Sequence, residues 1–380
     1  MTRLLFLCLA SLLLMHPASA QSSDDRLTAG LMRQFAASHF PGFCVSVIKN
    51  GHPAYQHGFG YADIAEKRPY TADTIQPVGS VSKTVIGIAL MKAVEIGCFS
   101  LDTPISDICP FAVFSPYFPK RPMTIRQLAT HTSGIVDRPE VYEQTYQFGK
   151  SRADVSLGAF LSSYLTKNGK LYSRKNFAPA EPGTTFNYSN IGAALAAYLI
   201  EVKSKMPFAE FSEKYVLQPL QMSSSGWFNR AEDSKRTALL YDPKLAPYSV
   251  YASVTYPDGS LRSSCADLSK YLIEIIKGYN GTSALLLSKD SFRQMLTPQF
   301  SPQNVPTGVS KREPNQGLLF TFRHDGLIGH TGSDYGVSAF LFFDPKTNSG
   351  KIFVTNTDIQ ESPALAKQFA QIWRTLDDIQ

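Results

Sequence analysis

Hydrophobic positions along the chain indicate strands near both ends and helices between them. Alternation predicts strands over residues 43–49 and 54–61, joined by a turn at Asn50-Gly51. Runs rich in Phe, Val, Leu and Ile predict later strands over residues 318–323, 327–331, 337–343 and 351–355. Helical spacing predicts helices over residues 24–39, 80–96, 125–130, 155–165, 190–206, 208–216, 266–279, 289–296 and 364–376.

The order of these elements indicates an α/β (α+β) protein with two lobes. Strands at the two chain ends most simply form one antiparallel sheet of the five-stranded type, with the N- and C-terminal helices packed on it. We expect this α/β lobe to use about residues 21–75 and 305–380, and an all-helical lobe to use about 76–304. A cleft between the lobes is the natural place for a site. The tyrosine-rich segments 137–180 and 226–260 either overhang it or form ordinary surface loops.

The first twenty residues have the organisation of a secretory signal peptide. Arg3 precedes an apolar stretch over residues 4–15, and the small residues Ala18 and Ala20 precede the expected cleavage site. A short membrane anchor is the alternative, but this stretch is too short to span a bilayer. We therefore expect cleavage after Ala20, a periplasmic or secreted protein over residues 21–380, and no stable membrane span after cleavage.

Composition and charge argue against several classes of protein. Hydrophobic residues make up 43% and charged residues 18% of the 380 positions, so the chain is neither disordered nor fibrous. The 37 Lys and Arg against 31 Asp and Glu give a net charge of +6 without a dense basic run, so nucleic acid is not expected as a partner. The seven histidines are scattered and there is no phosphate loop, so neither a metal nor a cofactor is expected. We also expect a monomer.

Four cysteines remain after signal cleavage, and export would permit disulfides. Cys98 and Cys109 flank a proline-containing loop, which makes them the first candidates for a disulfide. Four cysteines allow three full pairings, and the sequence does not choose among them. The alternative is four buried thiols that act as small apolar groups, with Cys44 and Cys265 as the other two.

Two Ser-x-x-Lys pairs are candidates for a nucleophile and its base. Ser46 and Lys49 lie on a predicted strand, where positions three apart point to opposite faces. Ser80 and Lys83 lie at a predicted helix start, where positions i and i+3 share a face, so the amine can reach the hydroxyl. The helix N-terminus favours negative charge on the serine oxygen, and burial of the amine would let it act as a base. The alternative for Ser80 is a simple N-cap.

A Tyr-x-Asn motif stands just before another predicted helix. Tyr188 could relay a proton beside a buried lysine, and the Asn190 amide could contact that lysine or a substrate carbonyl. The alternative is a helix cap next to an ordinary tyrosine. No Gly-x-Ser-x-Gly motif is present in the sequence, which disfavours an α/β-hydrolase.

A His-Thr-Gly motif closes the predicted strand over residues 327–331. Gly332 would let a substrate backbone approach the strand edge closely. The backbone amide of Ser333 could then pair with that of Ser80 as an oxyanion hole. The alternative for His330 is a surface histidine on a strand.

These three motifs, in this order, resemble the serine β-lactamase/penicillin-binding protein superfamily. The Tyr-Ser-Asn form is similar to the branch that holds class C β-lactamases, DD-carboxypeptidases, D-aminopeptidases and β-lactamase-related esterases. The resemblance covers roughly residues 25–375 and implies a β-lactamase/transpeptidase-like fold. Further stretches similar to family signatures lie at residues 101–105, 128–134, 182–190 and 258–263.

The resemblance implies a role for each motif. Ser80 would be the nucleophile, Lys83 the amine that activates it and Tyr188 the proton relay to the leaving group. The reaction would be a two-step acyl transfer through an ester on Ser80, resolved by water. His131 belongs to a signature that is structural in the family, so no catalytic role is expected for it. The substrate-binding residues would be Asn190, His330, Thr331, Gly332 and Ser333.

Two positions depart from the family pattern. His330 stands where β-lactamases usually carry lysine, which favours the peptidase and esterase members, and Asp334 disfavours anionic substrates. A neutral imidazole holds a carboxylate less firmly than a lysine does, unless Arg262 or Lys311 supplies the charge. We therefore expect poor β-lactam turnover. We also expect carboxylate substrates to bind better as the pH falls from about 7.5 to about 6 and His330 gains a proton.

Three functions remain open at this point. The first is an exported serine hydrolase that cleaves amides of D-amino-acid peptides, with DD-carboxypeptidase-like trimming of cell-wall peptides as its default role. The second is an esterase of the same fold that acts on small acyl esters, or a class C-like β-lactamase. The third is a module that traps penicillin or muropeptides without turnover. The presence of Ser80, Lys83 and Tyr188 together argues against the third, because a pure binder has no need of a proton relay.

Overall fold

The computed structural model describes residues 23–378, and the predicted signal peptide at residues 1–20 lies outside them. Its strands are β1 (Gly42–Lys49), β2 (His52–Asp63), β3 (Arg68–Pro69), β4 (Gln76–Pro77), β5 (Tyr146–Phe148), β6 (Tyr251–Ser253), β7 (Arg262–Ser263), β8 (Asn315–Gln316), β9 (Thr321–Phe322), β10 (Ile328–Asp334), β11 (Val337–Asp344) and β12 (Ser349–Thr355). Its α-helices are α1 (Ser23–Ala36), α2 (Ser82–Glu95), α3 (Ile125–Ala129), α4 (Pro139–Tyr142), α5 (Leu157–Leu165), α6 (Asn190–Ser204), α7 (Phe208–Ser212), α8 (Cys265–Tyr279), α9 (Lys289–Met295) and α10 (Pro363–Thr375).

The main sheet has the order β3-β2-β1-β12-β11-β10-β9-β8. Every neighbouring pair in it is antiparallel. The long strands β2, β1, β12, β11 and β10 form its centre, and strands of two residues extend it at both edges. The α/β class and the antiparallel sheet predicted from the sequence are therefore confirmed. The sheet is wider than the predicted five-stranded type, because the short strand β3 extends one edge and the short strands β9 and β8 extend the other.

Strand β1 is buried on both faces, and this explains why helices cover both sides of the sheet. Phe43, Val45 and Val47 share one face and pack in a cluster with apolar residues of α1 and α10. Cys44 and Ile48 share the other face and belong to the larger core that includes α2 and α8. Burying an apolar side chain of this size contributes roughly 1.5–3 kcal/mol. Because both faces of β1 carry apolar side chains, helices pack on both sides of the sheet.

The predicted strand over residues 318–323 is wrong for most of its length, since only Thr321 and Phe322 are extended. Leu319 has a left-handed φ of 59°, and its N–H donates to the carbonyl of Ala129 at 2.8 Å. Leu318 and Phe320 are fully buried in the larger core. These apolar residues are therefore buried against helices rather than within the sheet.

The candidate Cys98–Cys109 disulfide is not formed, since Cys44, Cys98, Cys109 and Cys265 are all free thiols. Cys98 and Cys109 are half-buried, whereas Cys44 and Cys265 are fully buried. Burial and a contact with the Cys265 thiol raise the pKa of the Cys44 thiol well above its ordinary value. Cys44 and Cys265 are therefore buried free thiols, as the alternative to disulfides expected.

None of the helices between residues 23 and 378 is long and apolar enough to cross a bilayer. The division into lobes near residues 75 and 305 stays a prediction. For the functional site, the relevant feature is that β10 packs against a single 3₁₀ turn, Gly79–Val81, that leads into α2. The edge of β10 and the start of α2 are therefore adjacent.

Candidate active site

A cleft of about 290 Å³ lies where β10 meets this 3₁₀ turn. Six of the residues predicted from the sequence line it, and Lys83 lies beneath them with no exposed surface. Gly332 is buried at the same place, beside the 3₁₀ turn. The cleft is lined by Ser80, Tyr188, Asn190, His330, Thr331 and Ser333, together with Tyr142, Tyr146, Asp258, Gly259, Glu313, Thr321, Asp334 and Gln360.

Ser80 and Lys83 are brought together by the change from a 3₁₀ turn to an α-helix. Ser80 is in the turn Gly79–Val81, and Lys83 is in the first turn of α2, so both side chains project to the same side. The Lys83 Nζ lies 3.0 Å from the Ser80 Oγ. No side chain caps either helical segment, so Ser80 is not an N-cap. In the competing pair, Ser46 is buried and accepts a hydrogen bond from the Ser269 hydroxyl at 2.9 Å.

Three partners surround the buried Lys83 amine. Besides Ser80, it contacts the Asn190 Oδ1 at 2.7 Å and the Asp258 carbonyl oxygen at 2.7 Å. An ammonium would donate to all three. A neutral amine would keep the same contacts by donating to Asn190 and Asp258 and accepting the proton of the Ser80 hydroxyl. The arrangement can therefore take a proton from the serine without moving.

Asp137, which the sequence analysis missed, holds Asn190 in place. Its carboxylate accepts hydrogen bonds from the Ser189 hydroxyl at 2.7 Å and from the backbone amides of Asn190 at 2.6 Å and Ile191 at 3.1 Å. The Ser189 hydroxyl in turn caps the Gly192 amide at 2.8 Å. These bonds satisfy the free amides at the start of α6, where an anion is favoured. No local pattern pointed to Asp137, because its partners are more than fifty residues away in the sequence.

His131 positions the tyrosine of the Tyr-x-Asn motif. Its ring packs on that of Tyr188, with centroids 4.5 Å apart, and its Nδ1 accepts a hydrogen bond from the Ser189 amide at 3.1 Å. Burial lowers the pKa of His131 well below its ordinary value, with the Lys83 charge as a smaller cause, so the ring is neutral. The Lys83 Nζ also lies 5.0 Å from the centroid of the Tyr188 ring. The tyrosine ring is thus in contact with a neutral ring and close to the buried amine.

The open edge of β10 presents a backbone amide to the nucleophile. Strand β9 pairs only with Ile328 and Gly329, so the rest of this edge is uncovered by β9. Asp334 and Val337 close a two-residue hairpin, and the closing pair of such a hairpin is hydrogen-bonded. Because this pattern alternates, the Ser333 amide points away from β11 and toward the 3₁₀ turn. The amides of Ser333 and Ser80 can therefore converge on one oxygen, as an oxyanion hole requires.

Gly332 is required by the close approach of the two backbones. A Cβ added there would overlap the Val78 carbonyl oxygen and would lie 3.1 Å from the Ser80 nitrogen. Gly79 meets the same constraint from the other side, since it has a φ of 54° and its added Cβ would lie 2.7 Å from the Ser333 nitrogen. Glycine at both positions thus lets β10 reach the nucleophile.

Replacing Gly332 by alanine is expected to lower kcat/KM for a nitrophenyl ester by at least about tenfold, because a shift of about 1 Å at a reacting centre can cost about 10²-fold. The melting temperature should fall as well, since the neighbouring atoms are backbone and cannot rotate away. Gly226→Ala is the matched control, because nothing lies within 4 Å of its added Cβ. Full activity in Gly332→Ala would show that the close approach is not needed.

His330 lies at the cleft wall, and its ring is neutral where the sequence analysis expected it to gain a proton. Burial and the nearby Lys83 charge lower its pKa to about 4, and its Nδ1–H donates to the Thr331 carbonyl at 2.5 Å. The ring therefore stays neutral between pH 7.5 and 6, and the pH dependence expected from its protonation is wrong. Arg262 and Lys311, the two residues expected to supply a positive charge, are not among the residues that line the cleft in the described part of the chain.

The side of the cleft near Asp334 is rich in carboxyl and phenol groups. The two tyrosine-rich segments do border the cleft, since they contribute Tyr142, Tyr146 and Asp258 to its wall. Burial, hydrogen bonds and the Asp258 charge set the pKa of Asp334 at about 7, with burial as the largest cause. Among residues 23–378, no group of three or more His, Cys, Asp or Glu side chains is placed to hold a metal ion.

Comparison with known proteins identifies relatives along most of the chain. Protein flp of Staphylococcus aureus (strain MW2) is 21% identical over 349 residues, which is 91% of this chain and 65% of that protein. The chain thus spans slightly less than two thirds of that relative. The putative penicillin-binding protein PbpX of Bacillus subtilis (strain 168) is 26% identical over 326 residues, which is 83% of this chain and 73% of that protein.

Solved structures share the fold. An octameric penicillin-binding protein homologue from Pyrococcus abyssi matches with a TM-score of 0.69 and 25% identity, over 94% of this chain and 79% of that one. A penicillin-binding protein from Bacillus halodurans matches with a TM-score of 0.69 and 22% identity, over 92% and 98%. The family model described as Beta-lactamase matches residues 28–371. The chain therefore belongs to the Beta-lactamase family of the serine β-lactamase/penicillin-binding protein superfamily.

Proposed function

We propose that the protein is an exported serine hydrolase that cleaves amide bonds of D-amino-acid peptides through an ester on Ser80. The observation that supports this most directly is the buried Lys83 amine, 3.0 Å from the Ser80 hydroxyl. A hydroxyl needs such a base to become a nucleophile. Export is inferred from the signal sequence at residues 1–20. We also propose a monomer, although a structural relative is described as octameric.

In the first step the Ser80 oxygen forms a bond to the substrate carbonyl carbon, and its proton passes to the Lys83 amine. The carbonyl oxygen becomes an oxyanion and accepts hydrogen bonds from the amides of Ser80 and Ser333. The carbon–nitrogen bond then breaks, and the leaving nitrogen takes a proton through the Tyr188 hydroxyl. The product of this step is an ester on Ser80 and a free amine.

In the second step water attacks the ester carbonyl in the place that the amine has left. Its proton passes to the same pair, Lys83 and Tyr188, and the carbon–oxygen bond to Ser80 breaks. Ser80 regains its proton and the acid product leaves. Asn190 keeps the Lys83 amine in place throughout, since the two side chains are joined at 2.7 Å.

The charges in the cleft favour neutral substrates over negatively charged ones. Among the residues that line it in the described part of the chain there is no lysine or arginine, but there are three carboxyls, Asp258, Asp334 and Glu313. Negative substrates are therefore bound weakly, which includes β-lactams and peptides whose terminal carboxylate lies near the reacting carbonyl. DD-carboxypeptidase activity, the default role implied by the resemblance, is thus expected to be modest. A neutral ester meets no such repulsion, so esterase activity stays the second candidate.

Turnover of three substrates measured side by side tests this proposal. We expect steady release of product from a D-amino-acid peptide and a nitrophenyl ester, and little steady hydrolysis of a cephalosporin. Efficient cephalosporin hydrolysis would instead identify a β-lactamase. A single burst of acylation with every substrate would identify a trap without turnover, and hydrolysis of the ester alone would identify an esterase.

A further inference from the structure

The strand β10 divides the cleft into a leaving-group side and an acyl side. Gly332 lies against Ser80, and successive residues of a strand are about 3.3 Å apart, so His330 and Asp334 lie about 7 Å from that point in opposite directions. The His330 ring is next to Tyr188, with centroids 6.2 Å apart. Because Tyr188 serves the leaving group, His330 is on the leaving-group side. Asp334 is therefore on the acyl side.

Two carboxyls that line the cleft, Asp334 and Asp258, influence one another electrostatically on this side. Asp334 accepts a hydrogen bond from the Tyr335 amide at 2.8 Å. Asp258 is only 2% exposed, and its Oδ1 accepts from the Tyr142 hydroxyl at 3.0 Å. The Asp258 Oδ2 is buried without a hydrogen-bond partner of acceptable geometry, although this residue lines the cleft. A buried carboxylate oxygen of this kind is costly unless a ligand supplies a donor.

Among residues 23–378, neither carboxyl of this pair forms an ion pair with a lysine or arginine, although the buried Lys83 charge acts on Asp258. Every ion pair within residues 23–378 involves other carboxyls. The buried Lys83 amine contacts the backbone carbonyl of Asp258 and not its carboxylate. The pair is also close to the nucleophile, since an added Cβ on Gly259 would lie 3.8 Å from the Asp334 Oδ2 and 4.0 Å from the Gly79 carbonyl carbon.

We propose that Asp334 and Asp258 form a subsite for an ammonium group on the acyl part of the substrate. An α-ammonium lies about 2.5 Å from its own carbonyl carbon, which places it on the acyl side whenever that carbon is at Ser80. The substrate class is then a peptide or amide of a D-amino acid with a free amino terminus. This inference rests on the proposed amide hydrolysis and adds to it the charge and the end of the substrate that the cleft recognises.

The titration of the two carboxyls supports this subsite. Burial, with the negative charge of Asp258 as a smaller cause, raises the pKa of Asp334 to about 7 against the lowering effect of hydrogen bonds. Burial likewise raises the pKa of Asp258 to about 6, while the Lys83 charge lowers it. A bound ammonium would favour the charged form of both. The titratable or charged groups around Asp334 are Tyr142, Tyr146, Tyr251, Asp258, Tyr335 and, through Tyr251, Arg262.

The sign of the pH effect follows from these values. Below about pH 7 the Asp334 carboxyl is neutral, and above it the carboxylate is charged. The ratio of kcat/KM for a free-amine substrate to kcat/KM for its N-acetyl counterpart should therefore rise between about pH 6 and about pH 7.5. Near pH 8 the α-amine itself begins to lose its proton, and the rise should end. The ratio of the two kcat/KM values removes any pH effect on the catalytic steps, because both substrates share those steps.

The experiment compares D-alanine nitroanilide with N-acetyl-D-alanine nitroanilide in the full-length protein. We expect the free amine to be preferred by at least about tenfold, from the strength of hydrogen bonds to charged groups. Asp334→Asn, which keeps the shape of the side chain, should remove most of this preference and its rise with pH. Glu313→Gln is the matched control. Glu313 also lines the cleft and burial also raises its pKa, but it is influenced by Arg323 rather than by Asp258 or Asp334. Arg323 follows the short strand β9, which pairs with the other end of β10.

Two further measurements distinguish a failure of the ammonium subsite from a failure of the proposed hydrolase function. Labelling of Ser80 by an uncharged fluorophosphonate should proceed at a similar rate in Asp334→Asn, which verifies that the variant is folded. D-alanine amide should protect Ser80 from the probe better than N-acetyl-D-alanine amide does, even where the nitroanilides react slowly. Equal use of both substrates at every pH would contradict the ammonium subsite and leave the hydrolase intact. Failure of Ser80 to react with the probe at all would contradict the proposed function itself.

Discussion

Replacing Ser80 with alanine is expected to lower hydrolysis by at least about 10³-fold and to abolish covalent labelling by a fluorophosphonate. The physical reason is that Ser80 is the hydroxyl held by the buried Lys83 amine at 3.0 Å. Mass spectrometry of the intact protein and of the peptide that contains Ser80 measures the label. The wild-type protein should gain one adduct on this peptide.

The matched control is the serine of the other Ser-x-x-Lys pair. Ser46→Ala should keep the label, because Ser46 is buried in β1 and bonded to Ser269 rather than to a lysine. Ser46→Ala also loses only one neutral hydrogen bond, which contributes about 1 kcal/mol to stability. Stoichiometric labelling of Ser80→Ala would contradict the assignment of the nucleophile.

The part of the site that could be predicted from the sequence is the part set by local spacing. Three residues on a helix return to the same face, so the contact between Ser80 and Lys83 follows from their numbers alone. The strands β1, β2, β11 and β12 were predictable for a similar reason, since their apolar residues are buried where they alternate or run together. The ordered motifs then predicted that Tyr188 and His330 would join the same cleft.

The remaining features depend on contacts distant in sequence. The pKa of His330 is lowered to about 4 because a helical element buries it beside Lys83, and no property of its own strand indicates this. The Asp258 charge acts on Asp334 although the two residues are far apart in the sequence, and Asp258 lies in a 3₁₀ turn, Tyr256–Asp258, that has no local relation to β10. Leu319 is in a left-handed conformation because its amide is satisfied by Ala129 rather than by a strand. Each of these is a tertiary effect that overrides a local preference.

Removing the Lys83 amine or the Tyr188 hydroxyl is expected to lower turnover by at least about 100-fold in each case, the range typical of proton relays. The Lys83 Nζ lies 5.0 Å from the centroid of the Tyr188 ring. A shared proton path requires in addition that the Tyr188 hydroxyl comes within hydrogen-bond distance of the reacting groups when substrate is bound. Tyr188 is 43% exposed, so Tyr188→Phe removes an oxygen without opening a cavity. Lys83→Ala leaves the Asn190 Oδ1 and the Asp258 carbonyl without a donor, so its melting temperature must be measured alongside its activity.

The double variant decides whether the two residues act as a unit. If Lys83 and Tyr188 pass one proton between them, the double variant should be about as slow as the slower single variant, because the second change removes a path that is already broken. Single-turnover rates with a nitrophenyl ester in all four proteins provide the cycle. A double variant whose loss equals the product of the two single losses would show independent roles. In that case Tyr188 would protonate the leaving group with a proton taken from solvent. Lys83 alone would then activate Ser80.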